Sequence, residues 1–500
     1  MGTITAIRNK MGIGTEGKIY WPPEGDTQRI AAYRRYKELF FGNHVSVFGK
    51  DAGTKTYVCA NLAKNIVTVV SDLLFGEDFE VSTADGSPLP DSVMEIIRRN
   101  KLVSMLHEAS LDTAYCGDGV FIVSRGEDGL SYVGAQSPDS WFPILDMDNQ
   151  KKVMGHRFAW VREVGERLFL RMTIHYPGTI EERLFVLDDA GVIEREATLE
   201  EWSLLYPDRQ EGYSVIATDV PEPLVVHCPN YRTAGEYFGI SEYEGLESLF
   251  DALNARLTQI DRILTKHSDP MLGLPADTYR SLKEAATDWS GFASSGNRID
   301  KARLDVYMMG EEGQKAEYVT WDAQLATNLE FTNAIAKHIA SVSETAPQLI
   351  GLEQMGGGLS GRALRILLLR TLAKVGRRRR YYESAIKDII RLCLLVEGEE
   401  PIDVEIHWPD GLPQDALEDN QIMEMRLSNG TIDRKTAIQR LDGVDEDTAA
   451  RLVEEINADT DVTRNDSGLA EAINSKNKSV VDNATGQPGI SVTVGDLSGV

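Results

Sequence analysis

Residues 347–396 constrain this chain's fold more than any other stretch. A glycine-rich loop, Leu352-Glu353-Gln354-Met355-Gly356-Gly357-Gly358-Leu359, leads into Ser360, whose hydroxyl can accept a backbone N–H and open a helix. No proline falls between Pro347 and Pro401, and Gly398 stands where a C-terminal cap is expected. A helix over residues 361–396 would span roughly 54 Å, the width of a whole domain. Its apolar positions Leu364, Leu367, Leu368, Leu372, Val375, Tyr382, Ile386, Ile389 and Cys393 recur at helical spacing. Between them lie Arg362, Arg365, Arg370, Lys374, Arg377, Arg378, Arg379, Arg380, Lys387 and Arg391. The chain carries 52 Lys+Arg against 78 Asp+Glu, so this is a basic strut inside an acidic protein.

Five hundred residues allow two to four domains, and a 42% apolar fraction is enough for real cores. A formal charge of −26 argues against wrapping nucleic acid, which needs excess Lys and Arg against phosphate. It leaves room for a channel through which a polyanion slides without sticking. Cys59, Cys116, Cys228 and Cys393 are scattered, without metal-ligand spacing or a disulfide framework, and read as reduced thiols. The N-terminus lacks an apolar signal core and no run of 18 apolar residues occurs, so neither a standard secretion signal nor a membrane span is expected.

In chain order, residues 1–25 read as a loose polar arm. Apolar spacing then predicts helices over 27–41, 61–75 and 103–115, and one opened by a cap at Asp91. From 119 to 227 the period becomes two, with strands expected at 120–123, 157–162, 167–175, 179–187 and 224–227 in a largely antiparallel α+β domain. Ser241 with Glu244 has the form of a capping box before a helix to about 266. Pro270 ends that helix. Residues 269–322 form a small insert with strand-like pieces at 304–308 and 318–321. A helix over 323–343 follows, with Leu325, Leu329, Ile335, Ile339 and Val342 on one face and Asn328, Thr332, Asn333 and Lys337 off it. Beyond a strand at 403–408, short helices are expected at 414–427, 434–441 and 447–456, with Asp433 and Asp445 as caps. Residues 458–500 have the composition of a disordered tail.

Gly356-Gly357-Gly358-Leu359-Ser360-Gly361 formally matches a dinucleotide fingerprint, but that motif must follow a buried strand, and here a helix and Pro347 precede it. No P-loop or catalytic motif appears, and the eight His are dispersed. No catalytic residue, metal or cofactor is assigned. Arg377, Arg378, Arg379 and Arg380 cover every direction of a helix and cannot form one groove-facing stripe. Two readings of them stay open: inter-subunit or inter-domain pairing with Asp and Glu, and DNA contact.

Three passages in fixed order resemble the portal proteins of tailed bacteriophages, most like those of long-tailed phages. They are Asn61-Leu62-Ala63-Lys64-Asn65-Ile66-Val67 running into Leu74-Phe75-Gly76-Glu77-Asp78-Phe79; the helix, insert, helix, loop and long helix that turn at Leu359-Ser360-Gly361-Arg362-Ala363-Leu364; and Gly430-Thr431-Ile432-Asp433 before short acidic helices. The resemblance covers roughly residues 25–457. It implies a ring of about twelve copies at one capsid vertex, through which double-stranded DNA is packaged and ejected. The implied parts are an α+β wing over 26–240, completed by 360–412; stem helices at 241–268 and 323–346; and a clip at 269–322. A tunnel loop at 347–359, a spine helix at 360–397 and a helical crown at 413–457 follow. By the same resemblance Leu352, Glu353, Gln354, Met355, Gly356, Gly357 and Gly358 line the channel, with Asn333 and Lys337 on the channel face of the stem. The implied partners are further copies of the chain, the terminase large subunit, a head–tail adaptor, and the major capsid and scaffolding proteins. The implied location is the virion, after assembly in the bacterial cytoplasm, with no membrane. The rival classes are an enzyme acting on nucleic acid and a non-portal oligomeric scaffold or adaptor.

Overall fold

Periodicity in the first 120 residues becomes a set of helices whose apolar stripes are buried. The computed structural model describes residues 19–49, 57–209, 211–267, 271–275, 277, 306–309, 317–319, 325–354, 361–409, 416–445 and 448–457. A short strand β1 (Ile19–Tyr20) precedes α1 (Glu24–Phe40), α2 (His44–Val47), α3 (Leu62–Phe75), β2 (Glu80–Thr83), α4 (Asp91–Arg99) and α5 (Leu102–Cys116). Asn61 caps α3, accepting from the Lys64 N–H at 3.1 Å, so one N–H that a helix start leaves unpaired is satisfied. The expected cap at Asp91 is corrected: Pro90 holds the cap position and Asp91 is the first helical residue, where its charge still favours the helix N-terminus. Gly117 ends α5 at φ 103°, and a Cβ there would lie 2.7 Å from the Gly239 carbonyl oxygen. Only glycine fits.

The period-two region folds as β3 (Asp118–Arg125), β4 (Ser131–Gln136), β5 (Trp141–Leu145), β6 (Val153–Val164), β7 (Arg167–Tyr176), β8 (Thr179–Leu187), β9 (Val192–Glu196), α6 (Leu199–Leu205), β10 (Ser214–Ala217) and β11 (Val225–Pro229). One sheet has the order β1-β9-β8-β7-β6-β5, with β10 also paired to β8; a second has the order β11-β3-β4. Every pairing in these two sheets is antiparallel.

Next come α7 (Glu247–His267), β12 (Met271–Pro275), β13 (Val306–Met309), β14 (Glu317–Val319), α8 (Leu325–Val342), α9 (Gly361–Leu367), α10 (Leu369–Glu397) and β15 (Val404–His407). β12 is central in a three-stranded sheet, parallel to β13 and antiparallel to β14. Three expectations are corrected here. The Ser241–Glu244 capping box does not form: Ser241 Oγ donates to the Tyr115 carbonyl, Glu244 accepts from Tyr36, and α7 begins only at Glu247, past Gly245 at φ 76°. The long basic helix is two helices, interrupted at Leu368, whose ψ of 3° departs from helical geometry. On α8 the buried residues are Thr332, Ala336, Ile339 and Ala340, while Leu329, Phe331 and Val342 are exposed.

Two large cores result. One joins α1, α3 and the seven-stranded sheet to Tyr243, Phe250 and Leu253 near and on α7 and to Ala336 and Ile339 of α8. The other gathers α3, α4, α5, β3 and β15 around Val375, Tyr382, Ile386, Ile389 and Cys393 of α10. The C-terminal part of α10 is thus a core element of the α+β body.

A separate unit begins after residue 412, and its described residues form α11 (Ala416–Ser428), α12 (Arg434–Asp442) and a helix at 448–457. Asp433 caps α12 by accepting from the Thr436 N–H at 3.1 Å, and Asp445 does the same for Thr448 at 2.7 Å. The expected disordered tail lies outside the described residues.

Candidate functional site

The turn that ends α8 is left-handed at a residue other than glycine. Glu344 has φ 54°, and the Thr345 N–H reaches back to the Ala340 carbonyl at 3.0 Å. Such a conformation costs a side-chain-bearing residue about 1–2 kcal/mol, so its surroundings must hold it. One stripe of α10 does so. Thr371 Oγ1 donates to the Glu344 carbonyl at 3.0 Å and accepts from the Ala346 N–H at 2.9 Å. One turn further along, Lys374 Nζ donates to the Ser343 carbonyl at 2.5 Å, to Thr345 Oγ1 at 3.1 Å and to Glu242 Oε2 at 2.6 Å. After another turn, Arg378 pairs with Glu242 Oε1. Asn230 Nδ2 also donates to that oxygen, at 3.1 Å.

Two buried cations therefore share one buried carboxylate. Glu242 cannot compensate both in full, and burial pulls the Lys374 ammonium down to about 7, with Glu344 raising it and Arg377 lowering it by smaller amounts. Burial likewise lowers the Arg378 guanidinium to about 10. Beside them opens a cleft of about 340 Å³, lined by Tyr231, Glu242, Glu244, Glu344, Lys374 and Arg377 among others.

The loop beyond the turn is anchored before it leaves the described residues. Ile350 is buried and Leu352 packs on the first core. Glu353 accepts from Gln348 at 2.8 Å and pairs with Lys337 of α8 at 2.7 Å. The sequence placed Glu353 and Lys337 separately against a channel; the structure joins them. Asn333 and Gln354 are exposed, while Met355, Gly356, Gly357 and Gly358 lie outside the described residues.

The four arginines part as their helical directions require. Arg377 pairs with Glu344 and Arg378 with Glu242. Arg379 donates to the Leu73 carbonyl and lies over the Trp408 ring at 5.5 Å, and Arg380 is exposed. Pairing with acidic side chains within the chain thus accounts for two of them. Sequence reasoning missed Thr371, Lys374 and Glu242. A signal existed for Lys374 and Arg378, which fall on the same stripe as Leu368, Thr371, Val375 and Tyr382. Nothing local marked Glu242, which sits 132 residues from Lys374.

Just before this clamp, α9 and the start of α10 expose apolar side chains: Ile366 is 68% and Leu369 63% accessible, and Leu367 is also exposed. Arg362, Arg365 and Arg370 are exposed on the same stretch.

A family profile described as phage portal protein, SPP1 Gp6-like, matches residues 50–461. Among solved structures, the chain is similar to one from the virion of a native gene transfer agent particle, at 13% identity and TM-score 0.44, covering 88% of this chain and 98% of that one. A chain from the neck of the native particle, computed with C12 symmetry, matches at 13% identity and TM-score 0.42 over the same shares. One from the neck of the empty particle, computed with C6 symmetry, matches at 14% and 0.44, again over 88% and 98%. No curated protein matches.

Proposed function

This chain belongs to the phage portal protein family, and from that premise we propose that about twelve copies close into a ring at one capsid vertex, a channel for packaging and ejecting double-stranded DNA. The chain's role is structural, of the portal type. The observation that carries the ring is the exposure of large apolar side chains on the helices before and after the loop: Leu329, Phe331 and Val342 on α8, and Ile366, Leu367 and Leu369 on α9 and α10. Covering such side chains favours assembly by about 25 cal/mol per Å², and a neighbouring copy supplies the cover.

In this reading residues 26–240 with 360–412 are the wing, α7 and α8 are stem helices, and 269–322, to which β12, β13 and β14 belong, is the clip that docks the terminase large subunit and then the adaptor. Residues 347–359 are the tunnel loop, 360–397 the interrupted spine, and 413–457 the crown. A ring built from chains of charge −26 repels phosphate, so DNA meets little that holds it in transit. In this reading the major capsid protein surrounds the ring, and scaffolding protein is a partner in its assembly.

The test is the double substitution Ile366→Asp with Leu369→Asp. Two carboxylates in an apolar contact cost several kcal/mol per interface, so rings should be lost in light scattering while the circular dichroism of the chain is unchanged. Rings of undiminished mass would remove this face from the interface.

A further inference from the structure

Lys374 makes three hydrogen bonds, and each goes to a different group: Glu242 ahead of α7, the Ser343 carbonyl at the end of α8, and the Thr345 hydroxyl just past it. An ammonium has three N–H donors and fills all three; a neutral amine has two and must leave one acceptor unmet. The segment so held is the left-handed turn at Glu344, which relaxes when its supports weaken. Beyond that turn the chain runs into 347–354, the start of the proposed tunnel loop.

We propose that Lys374 is a releasable pin that holds the root of the channel loop against the spine helix, and that losing its third proton loosens that root. The groups facing it are Glu242, Glu344, Arg377 and Arg378, with Glu244 and Tyr231 on the same cleft. Across this set Glu242 and Arg378 stay paired when Lys374 becomes neutral, so release leaves no unbalanced buried charge. The cleft of about 340 Å³ gives solvent a route to the amine. Burial, which pulls this ammonium to about 7, puts the change near neutral pH. The sign is definite: the pin is complete below that value and weakens as pH rises through it.

The consequence for DNA passage rests on the channel reading; the pin itself does not. Hydrogen–deuterium exchange on the full chain tests it, corrected for intrinsic exchange, at pH 6 and pH 8.5. The reporters are the Thr345 and Ala346 amides, bonded to the Ala340 carbonyl and to Thr371 Oγ1. Their protection should fall about tenfold between the two conditions in the wild type, while the β7–β8 amides keep theirs. Lys374→Met should show the low value at both. Thr345→Val removes one acceptor, so two donors suffice and the pH difference should shrink by half or more; this variant carries the test if Lys374→Met does not fold. Protection independent of pH in the wild type overturns the pin, as does a full pH difference in either folded variant. Rings that form without the pH effect reject the pin alone, and the pH effect without rings rejects the channel reading alone.

Discussion

Lys374 and Arg378 both turn to Glu242, with 5% and 2% of their side chains exposed against 3% for the carboxylate. Removing the shared partner leaves the Arg378 guanidinium buried without its carboxylate and drives Lys374 toward the neutral amine, which must still be seated. Glu242→Gln keeps the shape and should cost about 3–5 kcal/mol of stability, read as a lowered urea midpoint of the full chain. A loss below about 1 kcal/mol would mean that the cluster is solvated rather than closed. At this scale the sequence was half legible. That Arg377, Arg378, Arg379 and Arg380 could not share a face followed from the helical repeat alone, and they do not. Which of them would be buried depended on Glu242, brought in by the turns before α7. Ser241 illustrates the limit: its spacing to Glu244 promised a cap, yet the Tyr115 carbonyl and Tyr36 claimed both side chains.

Elements with a strong period were read well: the helix expected over 61–75 is α3, begun one residue later with Asn61 as its cap, and β8 has the bounds its alternation gave. The sequence did not single out β5 and β10. β5 is a continuous apolar run that includes Pro143, and β10 exposes Val215 and Ile216, so neither alternates cleanly. The interruption at Leu368 carried no signal, since neither glycine nor proline marks it. The wide sheet also holds a pH-sensitive pair, His156 on β6 directly opposite His175 on β7. Trp141 Nε1 donates to His156 Nδ1 at 3.0 Å, which requires that nitrogen to be unprotonated. Burial, aided by His227 and His175, lowers His156 to about 3, and burial lowers His175 to about 4, from a free value of 6.5. Because the unfolded chain takes up these protons first, stability is full above pH 6.5 and drains as pH falls toward 3. At pH 4 each histidine should cost roughly 3 kcal/mol. His156→Gln with His175→Gln should flatten the acid limb of a melting-temperature profile; an unchanged limb would place the acid-labile groups elsewhere.

For the molecule as a whole, Pro270, Pro347 and Gly398 mark in the sequence where α7, the turn after α8 and α10 end, whereas neither Pro nor Gly marks the start of α8. The face that a neighbour would cover was not legible there, because exposed Leu329, Ile366 and Leu369 look in the sequence like any other members of an apolar stripe. Only packing separates the side chains this chain buries from those it leaves exposed. The central claim is therefore about assembly, and mass and symmetry test it most directly. Light scattering with negative-stain imaging of the purified full chain should give closed rings of about twelve copies around a central hole. A monomer or open dimer under those conditions would contradict the account.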